Sequence, residues 1–183
     1  MKNNKLFQMI LASLFAAIIG ILAQISVPIG TVPLTLQSVA VFLTAIILGK
    51  KWGTISVSLY VLMGAIGLPV YAGGNSGFAA LFGPTGGYII SFILTAFICA
   101  FIHELGRGKL AFIVLGNFVG SLLLLTLGTL WLKVALNLSF EAAFLAGFAP
   151  FIISNILQIV LASLVSFGVL KRLPVKFLAR LEA

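Results

Sequence analysis

Apolar residues run through this chain in long blocks, each closed by Gly, Pro or charge. A bilayer core of about 30 Å takes roughly 20 helical residues to cross, and six blocks approach or reach that length. They are Leu6–Gln24, Leu36–Leu48, Thr54–Leu68, Pro84–Ile102, Leu110–Lys133 and Leu145–Leu170. The second and third are short; they gain length from flanking polar residues or sit partly re-entrant, shielded by protein. Lys2 and Lys5 ahead of the first block resemble a signal peptide, but the apolar stretch is long for one and five more blocks follow. The pattern predicts an all-α membrane bundle of six helices in a single domain, residues 1–183, with an uncleaved first helix.

Composition agrees with this reading. Of the 183 residues 62% are apolar and 8% charged, with a net charge of +8. Soluble domains are about half apolar and a quarter charged, so an ordinary soluble globule is excluded, as is a disordered tail. The lone Cys99 gives neither a disulfide framework nor a cysteine metal site. No nucleic-acid patch forms either, because the basic residues fall in small clusters between apolar blocks. Lys2 and Lys5, Lys50 and Lys51, Arg107 and Lys109, and Lys171, Arg172, Lys176 and Arg180 occupy alternate connections and the two ends. Only Lys133, of eleven Lys/Arg, falls on the other side. Cytoplasmic loops carry the Lys/Arg excess, so a multi-pass protein of the cell membrane, its lipid-embedded chain having both termini cytoplasmic, is expected.

The unusual residues concentrate in two connections on the opposite, outer side. One holds Gln24, Ser26, Pro28, Gly30, Thr31, Pro33, Thr35 and Gln37; the other has seven glycines between Gly67 and Gly87. Glycine permits positive φ and close approach of a ligand to backbone. Pro69, Tyr71, Phe78 and Phe82 within that run favour a binding loop over a linker. A helix starting at Pro84 would aim free N–H groups outward, a seat for an anionic group. Within the spans the polar residues are amides and hydroxyls. Asn155 and Gln158, three apart, share a helix face, and ligand contact weighs at least equally with interhelical bonding for that pair. Asn117 alone favours interhelical bonding. On the first helix Ala12, Ala16 and Gly20 form a stripe of small residues, whose pattern favours packing inside the chain. No phosphate-binding loop is present, and His103 beside Glu104 is read as a solvated helix end. No enzyme, metal or cofactor is indicated.

These residues resemble the BioY family, the biotin-binding S components of energy-coupling factor (ECF) transporters. The likeness lies in Val32-Pro-Leu-Thr-Leu-Gln37, in Gly67-Leu-Pro-Val70 leading to Ala72-Gly-Gly-Asn75, and in Gly83-Pro-Thr-Gly-Gly-Tyr88, and it covers essentially the whole chain. The resemblance implies a high-affinity, outward-facing vitamin site, with Gln37, Gly73, Gly74, Asn75, Thr85, Tyr88, Asn155 and Gln158 as its residues. It also implies a transmembrane T protein and two cytosolic ATPases as partners, and contact of the T protein with Ala12 and Ala16. One departure is plain: where family members commonly carry an Asp and, three residues on, a Lys, this chain has Asn155 and Gln158, and an Arg of some members is Ile89. The site is neutral, which suits a ureido ring, although a paralogue for a related acid such as lipoate, or a stand-alone facilitator, remains an alternative.

Overall fold

A computed structural model describes residues 2–28 and 30–174. Helix α1 (Lys2–Ala23) leads into a small hairpin, β1 (Ser26–Val27) antiparallel to β2 (Leu34–Thr35). Helix α2 (Gln37–Ala65) follows, then a 3-10 turn at Ala72–Gly74 and the short α3 (Gly77–Phe82). Helices α4 (Gly86–Leu105) and α5 (Leu110–Ala135) come next. After the short α6 (Phe140–Gly147) a second 3-10 turn, Ala149–Phe151, opens α7 (Ile152–Arg172).

Among the described residues five helical stretches are long and apolar enough to cross a membrane, and one of them is bent back on itself. Gly49 interrupts α2 at φ 74°, ψ 178°, a left-handed conformation that glycine adopts without a Cβ penalty. A Cβ on Gly53 would stand 3.0 Å from the Ala45 Cα. A straight helix would hold these positions about 12 Å apart, so α2 is a helical hairpin with arms 37–48 and 50–65. Counted by arms, the chain has the six helices its sequence predicts, the third arm beginning four residues before Thr54. The break is tied down from α4: the Lys50 N–H donates to Glu104 Oε1 at 2.7 Å, and Lys50 Nζ lies 3.5 Å from Oε2. His103 is buried rather than solvated, 9% exposed. Glu104 and Arg107 at this helix end are exposed as expected.

The predicted last span divides in two. Pro150, lacking an N–H to continue a helix, sits in the 3-10 turn between α6 and α7. Helix α4 lies between α2 and α5, α1 packs on α2, and α7 packs on both α2 and α5. Phe42, Tyr60, Phe92, Ile113 and Leu124 form part of the shared core. Away from it the helices turn bare apolar faces outward, for example Ile21 at 67%, Leu157 at 66% and Ile153 at 75% exposure. Lipid covers such faces as readily as protein does. The chain is a multi-pass membrane protein.

The small-residue stripe faces inward. Ala12 and Ala16 are 2% and 0% exposed. Ser56 Oγ of α2 donates to the Ala12 carbonyl at 2.7 Å, and a Cβ at Gly20 would press on Val70 at 3.2 Å. The absence of bulk at these positions lets α1 reach α2 and the loop beyond it, so Ala12 and Ala16 pack within the chain.

At one end of the bundle Lys50, Lys51, Arg107 and Lys171 line a cavity of ≈ 820 Å³. Basic residues from two connections and the end of α7 thus converge. Lys133, by contrast, lies 5.6 Å over the Phe140 ring at the other end. The side chain of Lys2, and Lys176 and Arg180, lie outside the described residues.

Candidate functional site

At the end opposite the cations a cavity of ≈ 450 Å³ opens between the β-hairpin, α3 and the nearby ends of α2, α4, α5 and α7. Such a volume is in the range of small-molecule sites. Gln37, Asn75, Thr85, Tyr88, Asn155 and Gln158 all line it. They come from four separate parts of the sequence. Gly73 and Gly74 do not line it. Their φ values of 68° and 75° instead turn the chain so that the Tyr71 N–H can donate to the Asn75 carbonyl at 3.1 Å.

The floor is buried and polar. Gln37, Asn155 and Gln158 are 4%, 7% and 8% exposed, and each amide is oriented by its neighbours. Gln158 Nε2 donates to the Thr35 carbonyl at 3.1 Å. A carbonyl only accepts, so this bond fixes which end of the amide is which. Ser121 Oγ of α5 donates to Asn155 Oδ1, leaving the Asn155 NH2 group to the cavity. Two buried amide atoms of this floor, Gln37 Nε2 and Gln158 Oε1, have no hydrogen-bond partner. A buried, unpaired polar group costs about 1–3 kcal/mol, a cost that a bound ligand or water can relieve. Deeper in, Asn117 Nδ2 donates to Ser163 Oγ at 3.0 Å, the interhelical role its isolated position predicts.

Aromatic side chains shape the walls. Tyr71 Oη donates to the Val61 carbonyl at 2.6 Å, and Tyr88 Oη to the Gly147 carbonyl at 2.7 Å. Both hydroxyls are therefore occupied by backbone, and the rings serve as wall. Trp131 Nε1 donates to the Gly83 carbonyl at 2.9 Å, beside Pro84. The start of α4 differs from the expected one at Pro84. The helix begins at Gly86, and the N–H groups of Gly86, Tyr88 and Ile89 donate to the Gly83 and Thr85 carbonyls. Phe78 and Phe82, on the unforeseen α3, are 64% and 72% exposed.

The sequence reading missed much of the apolar lining, including Phe92, Leu124, Leu125 and Phe151. No signal in one sequence separates such residues from ordinary core. Among the described residues no cluster of His, Cys, Asp or Glu is suited to a metal ion.

Fold and cavity together define a class: a multi-pass membrane protein with a small-molecule-sized, uncharged cavity at one end of a helix bundle. The BioY family model matches residues 1–175, and the chain belongs to that family. It is similar to "Biotin transporter BioY2" of Lactococcus lactis subsp. cremoris, 39% identical over 175 residues, covering 94% of this chain and 95% of that protein. Similarity to "Biotin transporter BioY" of Thermotoga maritima is 40% over 169 residues, covering 92% and 98%. Among solved structures it resembles the S-component for biotin from an ECF-type ABC transporter, at a TM-score of 0.85 and 28% identity, with 97% of both chains covered.

Proposed function

We propose that this protein is the biotin-binding S component of an ECF-type vitamin importer and that the ≈ 450 Å³ cavity holds the vitamin. The observation that carries this is the near-complete structural likeness to an S-component for biotin, joined to a cavity whose floor is built of neutral amides. A cyclic urea offers one carbonyl acceptor and two N–H donors. Asn155 supplies amide hydrogens for such a carbonyl, and Gln37, Thr85 and Asn75 supply further neutral partners. Tyr88, Phe92 and Phe151 are apolar surface for a ring and chain. Gly73 and Gly74 act on the site by shaping the turn that presents Asn75.

The one-sided basic residues support an orientation with the termini and the cationic cavity toward the cytoplasm, which places the vitamin cavity outside. Reporter fusions to the two ends and to the α4–α5 connection test this, all three being expected on the cytoplasmic side. A T protein and two cytosolic ATPases complete the importer on this reading, since no phosphate-binding loop occurs in this sequence to couple uptake to ATP. Labelled-biotin uptake in cells without their own importer should require those partners. Uptake by this chain alone, unaffected by the partners, would instead make it a facilitator.

A further inference from the structure

Among the described residues no Lys, Arg or His lines the outer cavity. Of the eleven Lys/Arg in the sequence, ten sit in the basic clusters assigned to the other side. The remaining one, Lys133, lies over the Phe140 ring and is not part of the lining. At the start of α4 three backbone N–H groups, those of Gly86, Tyr88 and Ile89, already donate to carbonyls. The phenol hydroxyls of Tyr71 and Tyr88 are likewise committed to backbone carbonyls. An ionised carboxylate taken into such a floor would lose its hydration with no cation to replace it, which is far costlier than burying an amide. Only the rim, with exposed Thr31 and Asn75, keeps a carboxylate in water.

We infer that the cavity selects its ligand by the neutral, urea-like head and does not read the charge of the acid tail, so that esters and amides of the vitamin are ligands alongside the free acid. This rests on the biotin reading above and deepens it. The tail carboxylate stays at the wet rim, where capping it removes no ion pair. The relevant substrate class is then wider than the free acid: it includes conjugates whose carboxyl is joined to an amine or alcohol and whose added group fits through the mouth between α3 and the β-hairpin.

Purified native protein titrated with biotin, biotin methyl ester and biotin primary amide tests this. The ester and the amide should bind within about threefold of the acid, under 1 kcal/mol. Binding of the acid should be unchanged on raising salt to about 0.5 M, since no charge pair is there to be screened. Lys133→Ala should leave all three affinities alone. If biotin binds while the ester and amide are tenfold or more weaker, the inference falls and the biotin reading stands. If Lys133→Ala weakens the acid selectively, Lys133 reads the carboxylate and the inference again falls. Should none of the three bind, the biotin reading fails, and the inference with it.

Discussion

The two ends of this bundle each enclose a cavity, and they are built from opposite materials. The cationic one, ≈ 820 Å³, is walled by Lys50, Lys51, Arg107 and Lys171, with Glu104 bracing the Gly49 break. The neutral one, ≈ 450 Å³, is walled by amides, hydroxyls and aromatic rings. Charge at a membrane surface orients a chain and is screened by salt. Neutral hydrogen-bonding groups in a dry floor recognise shape and polarity, and they are costly to leave unpaired. The difference teaches that net charge, the most conspicuous property of this sequence, says where the protein sits and little about what it binds.

Substitutions can break this division at several points. The largest effect is expected at Ala16, which has no exposed surface and lies where α1 meets α2. Ala16→Trp should overpack that contact by about 1–3 kcal/mol or more, lowering the melting temperature of the isolated protein in detergent. Full thermal stability of this variant with loss of assembly alone would make the stripe a docking surface for a partner. Next come Asn155→Leu and Gln158→Leu. Each removes a hydrogen-bonding floor group at an expected cost of about 1–3 kcal/mol, which titration of biotin should read as a roughly tenfold to hundredfold loss.

The loop effects are smaller. Gly74→Ala forces a side chain into a left-handed position (φ 75°), costing about 1–2 kcal/mol in the turn that sets Asn75. Ser76→Ala has no such strain to introduce and should change affinity less; equal effects would reduce the turn to a spacer. Smallest of all is Glu104→Gln at the inner end. It weakens a half-exposed contact to Lys50, so stability should fall by about 1 kcal/mol or less, with biotin affinity unchanged. A loss of affinity there would show that the two cavities are coupled.

Much of this was legible in the sequence, for identifiable reasons. Helices need long apolar runs to cross lipid, so six spans stood out, and Lys50 and Lys51 separated the second from the third, where the structure has its break at Gly49. Polar residues inside apolar runs are conspicuous, which is why Gln37, Asn155 and Gln158 could be picked as a site. The helix α3 was hidden because its Gly77 start and short length read as loop. The apolar lining, Phe92 and Phe151 among it, was hidden because a cavity wall and a packed core use the same side chains. Ala12 and Ala16 show a third limit. A stripe of small residues says that something approaches closely, but not whether the neighbour belongs to the same chain.

The central claim is that the neutral outer cavity binds biotin, and a binding isotherm on the purified native chain, without partner proteins, tests it most directly. Trp131, hydrogen-bonded to Gly83 at the cavity wall, offers an intrinsic fluorescence reporter. Saturable binding of one biotin per chain at micromolar concentration or below, abolished or strongly weakened in Gln158→Leu, is the predicted result. No response to biotin at those concentrations, with saturable binding of lipoate or another acid instead, would contradict it.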